Sequence, residues 1–571
     1  MNTYITTEGC PIEIEGISKI QRDIIWNRLP VELRTPEIIM EYFINNLQLD
    51  KDLDKLTDVD KAAELLDKHL VNHSHIVIIG DRDADGICAT SLVYKGLIDI
   101  FKKSKEHIDV IINPRKEENG VSEYCVNKLF EIHSSNPVDL VITVDHGSRD
   151  NIRYKLIKET IPNIDLLITD HHTVEYDDYP TEATVFINPQ RKESTYYKTI
   201  SGCQVGLAVL VATFKRMYPG EGLHIFNTIL PYAAITVISD VMSLSNPFNR
   251  YIVKTGLHEI NKYVNPVWVV CKKLLELPGV ISSNDIGHKI APLINTANRT
   301  HNEMLGFKFL TVDTIEEAKE CGLELAELNN KRKTVTRIAV KEADRDIDVL
   351  SYPNSIVSLI DTGYAINGLV AAQLGEKYRK PAVCFLDNGN TLNGSCRGII
   401  PGFNILESLT KIQDRHPTRV VKLGGHHGAC GITIAKDFLP EFKREFDTEV
   451  GKALPNLNKP EPLKVDAVLN KNEITPKLAM VVNECGPYGK DWGEALFLSK
   501  LVIHRVVVKG PYLTILFENG LEGGCYVESL NYDTSLLNRG SKVDVIFSMD
   551  ISNFKGVFNF IINIKELKIL D

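Results

Sequence analysis

Three aspartates, Asp81, Asp83 and Asp85, stand at alternate positions directly after the apolar run Ile76–Ile79 and Gly80. Four consecutive β-branched residues closed by a glycine predict a buried strand. Gly86 and the run Ile87–Ile98 predict a helix packed back on the sheet. Carboxylates this close together repel one another unless a cation sits among them. Hard oxygen donors suit Mg²⁺ or Mn²⁺. Ligands of open α/β sheets bind beyond strand C-termini, which is where these residues are expected.

The same placement recurs downstream. Leu140–Val144 runs into Asp145-His146-Gly147, Leu166–Thr169 into Asp170-His171-His172, and the apolar helical stretch Pro231–Ile238 into Ser239-Asp240. Across residues 75–245 the strand candidates are Ile76–Ile79, Val110–Ile112, Leu140–Val144, Leu166–Thr169 and Val185–Ile187. Helical stretches such as Ile87–Phe101 and Ser122–His133 lie between them. The fold class expected is α/β, with a parallel, doubly wound sheet. Residues 1–70 read as helical, with Ile17–Leu29, Pro36–Leu47 and Asp58–Leu70 covering an edge or face of that sheet.

Thr314–Asp346 reads as one long charged helix, which at 1.5 Å per residue spans about 50 Å. It either bridges two domains or lies solvated on one. Residues 351–435 form a second α/β unit, with strands at Ser355–Ile360 and Ala382–Leu386. A connector rich in Pro, Lys and Asn follows over residues 456–495. From Leu496 the pattern turns to β, with candidates at Leu496–Val508, Tyr512–Glu518, Gly524–Glu528, Lys542–Met549 and Val557–Ile564. Five strands suit a small OB-type barrel. Tyr512, Phe517, Tyr526 and Phe554 either stack bases or fill its core. The divisions expected are 1–265, 266–350, 351–455, 456–495 and 496–571.

Composition narrows the function classes. The 571 residues are 43% hydrophobic and 25% charged, as in soluble globular proteins, and allow three or four domains. No apolar run reaches the roughly 20 residues of a membrane helix. Met1–Glu15 lacks the basic and apolar blocks of a signal peptide, so a cytoplasmic location is expected, in a bacterium or in the host of a virus. Eleven scattered cysteines without a Cys-x-x-Cys pair argue against a disulfide framework or zinc ribbon. A net charge of −10 argues against indiscriminate coating of nucleic acid, so any contact with it needs a local basic groove.

The Asp-x-Asp-x-Asp-Gly segment, Val144-Asp145-His146-Gly147, Asp170-His171-His172 and Ser239-Asp240 together resemble the DHH phosphoesterase superfamily. Leu56–Ala63 and Leu293–Arg299 are similar to segments of RecJ-type single-strand exonucleases. Gly394-Ser395-Cys396-Arg397 and Gly424–Gly431 resemble the two motifs of the associated DHHA1 domain. The resemblance covers residues 20 to 571. It departs at His146, where asparagine is common, and at Lys490-Asp491-Trp492, where the family has a Gly-Asn-Pro run.

This resemblance implies a DHH domain, a DHHA1 domain reached by the long helix, and an OB-type barrel. It implies two Mn²⁺ or Mg²⁺ ions held by Asp81, Asp83, Asp85, Asp145, His171 and Asp240, with Asp145 between them. His172 joins the catalytic set as a ligand or a phosphate contact, and Asp170 orients a histidine. Arg115, Arg299, Ser395, Arg397, Gly425 and His426 are expected on the nucleic-acid backbone, with a narrow cleft between the α/β units admitting one strand. The activity implied is 5′→3′ hydrolysis of single-stranded DNA to nucleoside 5′-monophosphates. A single-strand-binding protein or a helicase is the protein partner expected, with no membrane and a monomeric chain. The competing functions are a phosphodiesterase for short oligoribonucleotides or cyclic dinucleotides, and an inactive replication scaffold. The full set of acidic positions stands against the scaffold.

Overall fold

The computed structural model describes residues 4–44, 49, 53–174, 178–194, 196, 198–277, 279–299, 302–362, 365–455, 462–527, 530, 536–554 and 557–570. They fall into two compact units, residues 1–325 with 462–571, and residues 326–461.

The first unit begins with β1 (Tyr4–Thr6), which pairs in parallel with β12 (Leu463–Val465). The N-terminal segment is therefore not wholly helical. Its partner strand lies more than 450 residues away, beyond the reach of local periodicity. The next five strands are β2 (Ile76–Gly80), β3 (Ile108–Ile112), β4 (Leu140–Val144), β5 (Asp165–Thr169) and β6 (Val185–Ile187). They form one sheet in the order β3-β2-β4-β5-β6, parallel throughout. Chain order reverses at β2, which places the topological switch at the C-terminal ends of β2 and β4.

Both of these strands are buried along their whole length, as helices cover both faces. On one face, Glu123–Ser135 and Asn151–Thr160 bury Cys125, Leu129, Tyr154 and Ile157 against Val77, Ile79, Val141 and Ile168. Ala84–Lys95 packs against the helices Gly202–Met217 and Leu230–Ser239. The Val59–Val71 helix covers β6 and Gly202–Met217, as expected for a helix closing the sheet, whereas Lys19–Arg28 packs beside Pro476–Asn483. Of the predicted Pro36–Leu47 helix, Pro36–Ile44 is observed and residues 45–47 lie outside the described residues.

The same unit ends in a barrel of β14 (Phe497–Lys509), β15 (Tyr512–Phe517), β16 (Glu522–Tyr526), β17 (Lys542–Phe554) and β18 (Val557–Ile569). The order β14-β15-β16-β18-β17 closes through pairing of β17 with β14, an OB-type arrangement. Phe517 is core, at 1% exposure, while Tyr526 is 63% exposed and meets the half-buried Tyr512 edge-on. The side chain of Phe554 lies outside the described residues. The connector carries regular structure of its own: β12, β13 (Ala467–Val468) and the Pro476–Asn483 helix.

The boundary between the units falls inside the helix Ile315–Arg345. Its later residues Ala339 and Ala343 join the core of the second unit. That unit is a sheet of β7 (Ile356–Ile360), β8 (Ala382–Asn388), β9 (Thr391–Arg397), β10 (Val420–Gly425) and β11 (Ala429–Ala435) in the order β10-β11-β9-β8-β7. Only β7 and β8 run parallel.

Candidate metal centre

The aspartates after β2 are fixed by the start of the next helix. Asp83 caps Ala84–Lys95, its Oδ1 accepting from the amides of Asp85 (2.9 Å) and Gly86 (3.1 Å). Glycine is needed at 86, since a Cβ there would lie 2.5 Å from the Asp81 carbonyl oxygen. Asp85, in the first turn, also meets a second helix start. The amides of Gly202 and Cys203 donate to its Oδ2 and Oδ1 at 3.1 and 3.2 Å. Two helix N-termini therefore face one carboxylate, the favourable end of each dipole.

Asp145 directly follows β4 with φ +65°, a left-handed value that is costly for a residue with a Cβ. Its carboxylate is buried, and a Cβ on Gly202 would run into its Oδ1. His171 follows β5. Its Nδ1 donates to the Ile200 carbonyl at 2.9 Å, which fixes the tautomer and turns the Nε2 lone pair inward. Nε2 lies 3.2 Å from Asp145 Oδ1, 3.6 Å from Asp240 Oδ2 and 3.8 Å from Asp85 Oδ2. Asp145 Oδ1 is buried and, despite this approach, accepts no hydrogen bond among the described residues. A lone pair set among anionic oxygens is repulsive, and a divalent cation reverses that sign.

Asp240 ends the Leu230–Ser239 helix, its amide bonded to the Thr236 carbonyl. Its carboxylate thus sits at the negative end of a helix dipole, where an anion is disfavoured. The donor atoms form three sets, each lying within 4.8 Å: Asp85 with His171 and Asp240, Asp81 with Asp83 and Asp145, and Asp145 with His171 and His172. The three sets adjoin, Asp145 and His171 each belonging to two of them, and each could hold a cation.

Electrostatics point the same way. Burial, then the charges of Asp85, Asp83, Asp81 and Asp240, push the Asp145 carboxyl well above the ordinary range. Burial with Asp240 and Asp83 does the same to Asp85. Asp83 keeps an exposed side, yet the protein around it, with Asp81 and Asp240, pushes it up to about 6. Behind this cluster lies Asp170, whose burial opposes its charge. His172, His171 and Ser148 outweigh that and hold it far below the usual carboxylate range. His172 Nδ1 lies 2.8 Å from Asp170 Oδ1. Burial works against the imidazolium, but Asp170, Asp81 and Asp83 push it up to about 10. The donor set is carboxylate and imidazole with no sulfur, which fits Mn²⁺ or Mg²⁺.

The structure therefore brings together Asp81, Asp83, Asp85, Asp145, His171, His172 and Asp240, with Asp170 beneath them. Arg115 sits half-buried on the loop after β3. Arg82, between Asp81 and Asp83, ties that loop down through the carbonyls of Pro114 (2.7 Å) and Glu117 (3.0 Å). Arg299 ends the short helix Thr296–Arg299, also half-buried.

Ser395, Arg397, Gly425 and His426 belong to the second unit and gather at one end of its sheet. Ser395 and Arg397 on β9 pair with Gly431 and Ala429 of β11, while Gly425 on β10 pairs with Cys430. Gly425 has φ +137°, and the exposed His426 begins the β10–β11 turn. The Arg397 guanidinium packs so close to Gly368 that a Cβ there would lie 2.6 Å from Nη2.

Sequence reasoning missed the backbone partners Ile200, Gly202 and Cys203. A signal for them exists: Ser201 and Gln204 form a capping box, the mark of a helix start and hence of an anion site. It also missed Asn249, whose amide nitrogen donates to the carbonyls of Thr199 (2.8 Å) and Ser243 (2.9 Å) and so joins two loops of the site.

Residues 75–235 match the family model described as "DHH family, N-terminal domain". The "Single-stranded-DNA-specific exonuclease RecJ" of Haemophilus influenzae is 25% identical, the match covering 90% of this chain and 92% of the relative. The Escherichia coli protein of the same name is 26% identical, covering 88% and 89%. The crystal structure of RecJ from Thermus thermophilus in complex with Mn²⁺ has the same fold, with a TM-score of 0.74 at 22% identity. That match covers 97% of this chain and 76% of the other.

Proposed function

We propose, from the premise that this chain is a DHH-family protein with RecJ homologues along most of its length, that it is a metal-dependent single-stranded-DNA exonuclease. The observation that carries this is the convergence of seven acidic and imidazole side chains at the switch point of the parallel sheet.

Asp85, His171 and Asp240 would hold one ion and Asp81 and Asp83 the other, with Asp145 available to both. Two divalent ions in such a site supply the positive charge that activates water and stabilises the departing oxygen of a phosphodiester. The chain's own residues do the rest. Gly202 and Cys203 hold both oxygens of Asp85, and the Ile200 carbonyl keeps the His171 lone pair turned inward. Asp170 orients His172, which as an imidazolium donates a hydrogen bond to a substrate phosphate.

Arg115 and Arg299 in the first unit and Ser395, Arg397, Gly425 and His426 in the second grip the nucleic-acid backbone. Arginine's planar fork suits phosphate oxygens. The products are nucleoside 5′-monophosphates, released 5′→3′. In this reading residues 1–265 are catalytic, 266–350 a helical connector, 351–455 the substrate-binding domain, 456–495 a linker and 496–571 the barrel. The protein works as a cytoplasmic monomer beside a single-strand-binding protein or a helicase. No helix among the described residues is long and apolar enough to cross a membrane.

The test is digestion of 5′- and 3′-labelled single and double strands with Mn²⁺ or Mg²⁺. A 5′-phosphorylated single strand is degraded from its labelled 5′ end, the duplex is spared, and Asp145→Ala falls to background. Undiminished Mn²⁺-dependent digestion by Asp145→Ala refutes the proposal.

A further inference from the structure

We propose that the turn Cys485–Trp492, pinned by Arg250, positions the Asp240 carboxylate, so that Arg250 and Trp492 are positioning residues for the ion Asp240 holds. This rests on the metal-centre reading above and goes beyond it, because neither residue touches the cluster.

Asp240 opens a loop that runs to the helix Pro247–Ile260. Val241, the next residue, has φ +54°, a conformation a β-branched side chain adopts only under constraint from its surroundings. Locally the helix end holds it, with Met242 N donating to the Val237 carbonyl at 2.9 Å, and the loop beyond is held from far along the chain. Leu244 N donates to the Lys490 carbonyl at 2.8 Å. Gly489 lies against the same loop, and a Cβ there would come within 2.9 Å of Leu244 Cδ1.

The turn is itself fixed. Arg250 is buried at 1% exposure and donates to the carbonyls of Pro487 (3.1 Å), Cys485 (3.0 Å) and Gly486 (2.9 Å). Its guanidinium lies 4.0 Å over the Trp492 ring, with Tyr42 stacked on that ring at 5.2 Å. Trp492 Nε1 closes the turn on the Cys485 carbonyl at 3.0 Å. Among the described residues Arg250 has no carboxylate partner, and a buried guanidinium is a costly way merely to fill space. Three carbonyls and an aromatic face compensate it, and all belong to the turn that holds Leu244. From the opposite side Asn249 ties Ser243 to Thr199, beside the segment that fixes His171 and Asp85. The Asp240 loop is therefore clamped between two fixed bodies.

The test compares full-length Gly489→Val, Arg250→Met and Asp466→Asn with the unaltered chain. Gly489→Val wedges the Leu244 loop without removing a charge. Asp466→Asn instead weakens the ion pair, at 2.9 Å, between the connector and Arg28 of the Lys19–Arg28 helix, and alters no residue of the Asp240 loop or of the turn. Mn²⁺ binding is followed by electron paramagnetic resonance, melting is measured without metal, and kcat and KM are measured on a single strand. Gly489→Val and Arg250→Met weaken one of two Mn²⁺ ions tenfold or more and lower kcat at unchanged KM. Asp466→Asn lowers only the melting temperature. Native Mn²⁺ affinity in Gly489→Val, or an equal loss in Asp466→Asn, overturns the inference while the metal reading stands. No Mn²⁺ bound by the unaltered chain overturns both.

Discussion

Two sides of the metal centre present the same chemical group in opposite ways. Asp85 is buried against two helix N-termini and receives two backbone amides, whereas Asp240 caps the C-terminus of its helix and is followed by a strained valine. The Asp85 side is built by the fold itself, since the strand-to-helix turn and the capping box of Gly202–Met217 would form there with or without an ion. The Asp240 side works against its own helix dipole and is held by a distant turn. The difference shows where the fold invests in the ion. The Asp85 wall is preorganised by backbone amides and the Asp240 wall is not, while the crowding of buried carboxylates favours a positive charge at Asp85 as well.

The largest effect should separate the walls outright. Asp85→Ala abolishes nuclease activity and also destabilises the metal-free protein, by about 1–3 kcal/mol, because two buried amides lose their acceptor. Asp240→Ala abolishes activity but leaves metal-free stability unchanged or raises it by about 0.5 kcal/mol, since an anion leaves a helix C-terminus. Denaturant melts in EDTA check both, and equal destabilisation would erase the asymmetry.

The next effect is a pH dependence. Asp83 is pushed up to about 6, so protons compete with the ion below that pH. Protonation adds the wrong charge for ligation, so Mn²⁺ affinity falls as pH drops from 7 to 5, by about tenfold per unit for each proton displaced. Calorimetric titration across that range checks it. A flat profile would place Asp83 outside the site.

Asp170→Asn leaves every donor in place but weakens the hold on His172, and about 10–100-fold in metal affinity is expected to go with it. Smallest is Val241→Gly, which relieves a left-handed valine and stabilises the metal-free chain by about 1 kcal/mol. Thermal shift in EDTA measures it.

Much of this arrangement was legible before any coordinates. Apolar strands ending in polar clusters announce a parallel sheet with ligands at its C-terminal edge, because burial on both faces forces continuous Val and Ile runs. Six of the seven clustered residues follow such strands, whereas Asp240 ends a helix and entered, with the metal roles, through the resemblance to DHH phosphoesterases. What holds the seven could not be read in the same way. Ile200, Gly202 and Cys203 act through backbone atoms, which side-chain pattern does not report. Arg250 and Trp492 meet across more than two hundred residues of chain, and β1 pairs with β12 across a longer span still. The Gly486-Pro487-Tyr488-Gly489 segment lies in the expected connector, and nothing local to it indicates that Leu244 is what the turn touches.

Anomalous diffraction from crystals soaked in Mn²⁺ tests most directly whether the cluster binds a pair of ions. Two peaks about 3.5–4 Å apart are expected, a spacing typical of two-metal hydrolases. One should fall among Asp85, His171 and Asp240, the other among Asp81 and Asp83, with Asp145 reaching both. Peaks elsewhere on the molecule, or none at the ends of β2 and β4, would contradict it.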